Sequence, residues 1–143
     1  MKKEILGWHI LPSNKKLNFK DDRLIRDNIW YSVKGNLDLC CCGLHASKKI
    51  KDAVGNWNYN DVGHGDENGY ICRVVVKDNV IYGNEKFCGR SRKVLWKIQI
   101  RELSNYYTFS RCYKIYIENN LRFTNRVIAK AKKLGLYKKY IKG

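Results

Sequence analysis

Arg122, Arg126, Lys130 and Lys133 recur at helical spacing, and no acidic residue follows Glu118. Such a row of cations neutralises successive phosphates and releases their counterions, which gives affinity without reading bases. The final 25 residues hold eight cations: those four with Lys132, Lys138, Lys139 and Lys142. Two further clusters stand upstream, Lys48-Lys49-Lys51 and Arg90-Arg92-Lys93. Tyr106, Tyr107, Tyr113, Tyr116, Tyr137 and Tyr140 are interleaved near the basic segments, and aromatic rings of this kind stack on unpaired bases. The expected polyanion-binding set is therefore Arg122, Arg126, Lys130 and Lys133 first, then Arg90, Arg92, Lys138 and Lys139. The opposing reading makes the tyrosines core residues and the lysines a solvated face.

The whole chain supports the first reading. Its 143 residues carry 29 Lys and Arg against 13 Asp and Glu, a formal net charge of +16. Self-repulsion of that size weakens the compact state unless an anion binds. Nucleic acid or a nucleoprotein complex is the first expected partner and an acidic protein surface the second. A membrane is not expected, because the N-terminus has no long basic amphipathic helix and no apolar run approaches the roughly 18–20 residues of a span. The sequence has no helix-turn-helix, zinc-finger, RNP or GXXG signature, so the partner's class is clearer than its identity.

The remaining reactive side chains give less. Cysteines at 40, 41, 42, 72, 88 and 112 include three in a row, a poor disulfide framework. They read as buried thiols of an intracellular, cytoplasmic protein. His45 follows the triplet closely and His64 lies in an acidic, Gly- and Asn-rich stretch over 57–69, but no C-x-x-C pair is present and zinc is not expected. No phosphate-binding glycine loop, serine elbow or paired carboxylates are visible, so no cofactor and no catalytic residue is assigned on these grounds.

These residues need elements to hold them. Ile5–Leu11, residues 29–33, Tyr70–Val76 and Lys93–Ile100 read as strands from their β-branched, aromatic and alternating content. In the last of these, Val94, Trp96, Ile98 and Ile100 are expected on one side. A short strand over Leu37–Cys41 and a helix over 48–56 capped by Ser47 complete the middle, with turns at Gly35-Asn36, Asp78-Asn79 and Gly83-Asn84. In the tail, Phe123, Val127, Ala131 and Leu134 form an apolar helical stripe about 100° from the cationic one, and Gly135 ends the run. The expected fold is α+β: a single compact domain with a mostly antiparallel sheet and a basic C-terminal helix. Its parts are a body over 1–103 and a basic, largely helical extension over 104–143 packed on it.

Two resemblances add to this. The run CGLHASKKIKDAVGNW, with GYICRVVV after it, resembles the middle of ADP-ribosyltransferase-type folds, and RNA 2′-phosphotransferases carry a similar block. That resemblance implies an NAD-dependent transferase in which His9 contacts the nicotinamide ribose and His45 takes the place of the stacking aromatic. Glu85, Glu102 and Glu118 are then the carboxylate candidates. The blocks GWHIL, CGLHAS, CRVVV and RKVLW also resemble a group of small phage-encoded proteins. This implies a setting in a host cell and a role against host defences, such as that of an anti-CRISPR protein.

Overall fold

The computed structural model describes residues 3–12, 15–18, 21–39, 43–53, 69–103 and 124–136. Its centre is a four-stranded antiparallel sheet in the order β1-β6-β9-β4, formed by β1 (Ile5–Leu11), β6 (Tyr70–Lys77), β9 (Ser91–Gln99) and β4 (Trp30–Ser32). Both β1 and β9 pair along most of β6, with His9 opposite Cys72 and Ile71 opposite Ile98. The burial of β6 on both faces fits its apolar run, which Arg73 interrupts.

The alternation of β9 breaks once. Arg73 pairs with Trp96 but the next residue, Val74, pairs with Val94, so Leu95 is the extra residue of a bulge. The expected common side for Val94, Trp96, Ile98 and Ile100 is therefore corrected. Val94 joins the cluster on one face of the sheet, while Trp96, Ile98 and Ile100 join the cluster on the other.

A β layer covers the first of these faces. It consists of β5 (Leu44–Ala46), β8 (Phe87–Gly89) and β7 (Ile81–Tyr82), with the β2 (Lys16–Asn18) and β3 (Asp21–Leu24) pair beside it. Leu44, Ala46, Phe87, Leu17 and Ile25 pack there against Leu11, Cys72, Val74 and Val76. Of the expected strand over Leu37–Cys41, residues 37–39 form no strand and Cys40 and Cys41 lie outside the described residues; the strand described in this region is Leu44–Ala46, beyond Gly43 with its φ of +117°. Ser47 stands before the helical turn of residues 50–53. Its backbone exchanges hydrogen bonds of 2.7 and 2.8 Å with Trp8, which carries β5 across β1. That crossing needs Gly7: a Cβ there would lie 2.7 Å from the Phe87 ring and 2.8 Å from the Ala46 Cβ.

The opposite face is covered by helical segments. Residues 50–53 supply Ile50 and Ala53, the 3-10 turn Ile100–Leu103 supplies Ile100 and Leu103, and the helix over 124–133 supplies Val127 and Ala131. The last helix ends as its glycine requires. Gly135 has φ +76°, Leu136 N–H donates to the Ala131 carbonyl and Gly135 N–H to that of Lys132, the two bonds of a Schellman turn. The turn also explains a correction to the apolar stripe. Leu134 is 51% exposed, while Leu136, reversed by the turn, packs on the core in its place. Phe123, and the segment 105–117 with its tyrosines, lie outside the described residues.

Candidate functional site

The tail helix separates its two stripes as the spacing requires. Val127 and Ala131 are fully buried, whereas Arg126 and Lys133 are exposed and Lys130 is half-buried along its stem. A lysine in this position buries its methylenes and keeps its ammonium in water. Arg126 Nη1 donates to the Leu103 carbonyl at 3.4 Å, a long contact that leans the side chain back on the 3-10 turn. Among the described residues none of these three cations forms an ion pair with a carboxylate. Arg122, Lys138 and Lys139 lie outside the described residues.

The same face of the sheet carries a second cationic feature that the sequence did not single out as a unit. Trp30 stands opposite Lys93 in register, and the ammonium groups of Lys77 and Lys93 lie 3.9 and 5.0 Å from its ring centroid. The ring's negative face attracts both cations and restrains their stems. Lys93 belongs to an expected cluster, but Lys77 joins it only through the pairing of β6 with β9, a register no local pattern reveals. Lys48, Lys49 and Lys51 are exposed near the start of the 50–53 turn, with Lys48 over the Tyr82 ring at 5.4 Å.

Arg90 and Arg92 were expected on this basic surface. Arg90, between β8 and β9, is half-buried, and its backbone N–H binds the Asp78 carbonyl. Arg92 is corrected outright: it is 3% exposed and points between the central sheet and the β layer. The physical reason is strand alternation, which sends Lys93 outward to Trp30 and its neighbour Arg92 inward beside Val94. Arg92 Nη1 donates to the His45 carbonyl at 2.9 Å, and Nη2 is buried with no hydrogen-bond partner. Burial pulls the guanidinium down to about 10.

His9 projects onto the same inner face as Arg92. Its pKa lies well below the ordinary value, first through burial and then through the charges of Arg92 and His45. His45 is also lowered, first by burial, against the raising effect of its hydrogen bond with the Leu39 carbonyl at 2.9 Å. Both imidazoles are therefore neutral at pH 7. Among the described residues no carboxylate bonds to either histidine. Glu85 and Glu102 are exposed, on the turn before β8 and on the 3-10 turn, and Glu118 lies outside the described residues.

Among the described residues no three His, Cys, Asp or Glu side chains lie close enough to hold a metal ion; Cys40, Cys41, Cys42, His64 and Cys112 lie outside them. Cys72 and Cys88 are buried and in no disulfide, and burial pushes the Cys72 thiol up to about 12, far from a reactive thiolate. No helix among the described residues is long and apolar enough to cross a membrane. Comparison with family models, with curated proteins and with solved structures finds no match for the chain.

Proposed function

We propose that this protein binds a polyanion, nucleic acid alone or within a nucleoprotein complex, through the outer face of its C-terminal helix. The observation that carries this reading is the division of the 124–133 helix. Val127 and Ala131 anchor it in the core, and Arg126, Lys130 and Lys133 are left on its other faces without carboxylate partners among the described residues. Lys77 and Lys93, restrained over Trp30 on the same side of the sheet, extend the positive field beyond the helix. Fixed cations on a rigid rod lose little conformational freedom when phosphates bind, so counterion release is retained as affinity. The described residues offer phosphate contacts and no element shaped to read base edges, which favours binding that is non-specific in sequence. In the phage setting that the sequence blocks imply, a protein of this kind acts as an inhibitor of host defence, an anti-CRISPR protein among them, by occupying a nucleic-acid channel.

Reversing Arg122, Arg126, Lys130 and Lys133 to Glu tests the reading. The variant is expected to keep its circular dichroism and melting curve and to lose nucleic-acid binding in a fluorescence-anisotropy titration. Normal binding by the folded variant contradicts the proposal. A partner that co-purifies after nuclease treatment and still needs the four cations points instead to an acidic protein surface.

A further inference from the structure

Among the described residues Trp8 and Trp96 are buried in the core, whereas Trp30 is half-buried on β4, the strand that closes one side of the central sheet. Its ring meets two ammonium groups, Lys77 at 3.9 Å and Lys93 at 5.0 Å from the centroid. Like charges gathered on one ring repel each other, and the ring offsets only part of this at a partly solvated site. Among the described residues no carboxylate pairs with either lysine. Tyr70 makes the contrast. It also faces two lysines, Lys15 at 5.2 Å and Lys97 at 5.9 Å, but there Asp27 binds Lys97 at 2.6 Å. The Trp30 group is thus a flat aromatic surface with two cations beside it and no counter-charge. A nucleotide presents the complement, a base plane with phosphates flanking it.

We propose that Trp30, Lys77 and Lys93 form a stacking site for an unpaired base, so that the preferred ligand is a single strand of nucleic acid. The inference rests on the polyanion reading and deepens it by naming the form of the ligand. The site and the helix share one face of the sheet: Trp30 packs against the cluster that Val127, Ala131 and Leu136 also join. A strand whose phosphates follow Arg126, Lys130 and Lys133 therefore has Trp30 on its own side of the sheet. Base–aromatic stacking is stronger than a lysine–aromatic contact at a partly exposed site. An arriving base displaces an ammonium from the ring, and the flexible four-carbon stem carries that ammonium to a phosphate beside the base. In a duplex the base planes are already stacked on one another, and only phosphates meet this surface. The ring reads no base edge, so the site accepts any sequence.

The experiment is an anisotropy titration at fixed salt with three probes of equal phosphate number: a mixed-sequence single strand, the same backbone without bases, and a duplex. Wild-type protein is expected to bind the single strand about tenfold more tightly than the abasic strand. W30A is expected to bind those two alike and to keep its affinity for the duplex, while W30F retains most of the preference. A wild-type protein that does not distinguish the strand from its abasic form, or a W30A variant that still does, overturns the site. If W30A does not fold, the indole N–H resonance of Trp30 in the wild-type chain decides. A shift with the single strand and not with the abasic one supports the site, and an equal or absent shift rejects it. Binding of all three probes without distinction rejects the stacking site and leaves the polyanion reading intact, whereas binding of none rejects both. Polyglutamate bound more tightly than the single strand overturns the site and assigns the patch to an acidic protein surface.

Discussion

The two faces of the central sheet each bury one arginine, and they treat it differently. On the helix-covered face, Arg73 lies 4.5 Å from the Trp8 ring centroid, pairs in register with Trp96, and donates at 3.4 Å to the Gly7 carbonyl. Trp8 and Trp96 themselves meet edge to face at 5.7 Å. The charge of Arg73 is thus spread over aromatic surface, and its stem is part of the core. On the β-covered face, Arg92 receives one carbonyl and the proximity of two neutral histidines. Burial lowers both guanidinium groups to about 10, yet the surroundings accommodate Arg73 and leave Arg92 exposed to an uncompensated cost. One arginine is built into an aromatic core; the other is buried with less to offset its charge.

The strongest way to break this contrast is to disturb the crossing that encloses Arg92. Gly7→Val is expected to prevent folding, and Gly7→Ala to cost about 2–3 kcal/mol in urea denaturation, because neither the Phe87 ring nor the Ala46 Cβ can retreat. On the other face, Val127→Ala is expected to cost about 2 kcal/mol, the loss of a fully buried side chain that anchors the helix. The arginines themselves sharpen the comparison. Arg92→Met is expected to be neutral or to stabilise by about 1–2 kcal/mol, since it removes a buried charge with no carboxylate partner among the described residues. Arg73→Met is expected to destabilise by about 1 kcal/mol through loss of the cation–π contact with Trp8. Equal effects from the two substitutions would erase the distinction.

The histidines give a pH signature on the β-covered face. His9 and His45 have lowered pKa values in the folded state, so below the ordinary value of 6.5 the unfolded chain takes up protons that the folded chain refuses. Stability therefore falls as pH drops below about 6.5 and is retained above it. His9→Gln is expected to flatten that fall between pH 6.5 and 5, measured as the midpoint of urea unfolding. The smallest effect belongs to the Lys97–Asp27 pair at 2.6 Å. It is partly solvated, and Lys97→Ala is expected to cost no more than about 1 kcal/mol.

Much of the fold is written in local patterns. The β1, β6 and β9 strands follow their β-branched and alternating residues, Asp78 and Asn79 turn with positive φ as their small polar side chains allow, and the tail helix ends at Gly135. What the sequence concealed is non-local. A one-residue bulge at Leu95 divides β9 between two clusters, because hydrogen-bond register is decided between strands and not within one. The strand at Leu44–Ala46 is set by the bridge from Ser47 to Trp8, far away in the chain. Arg92 looked like one more member of a basic run, since burial of a lone arginine leaves no mark on its neighbours. The cationic stripe was legible because helical spacing states it directly, and the Lys77–Trp30–Lys93 group was not, because it is assembled across three strands.

The most direct measurement is the dependence of nucleic-acid affinity on salt. A duplex of mixed sequence is titrated by anisotropy from about 50 to 200 mM salt, and log K is plotted against log salt concentration. Engagement of four helix cations gives a slope of about −3 to −4, reduced by roughly one unit for each cation replaced by Gln. A slope near zero, or one that the replacements leave unchanged, contradicts the assignment of that surface to a polyanion.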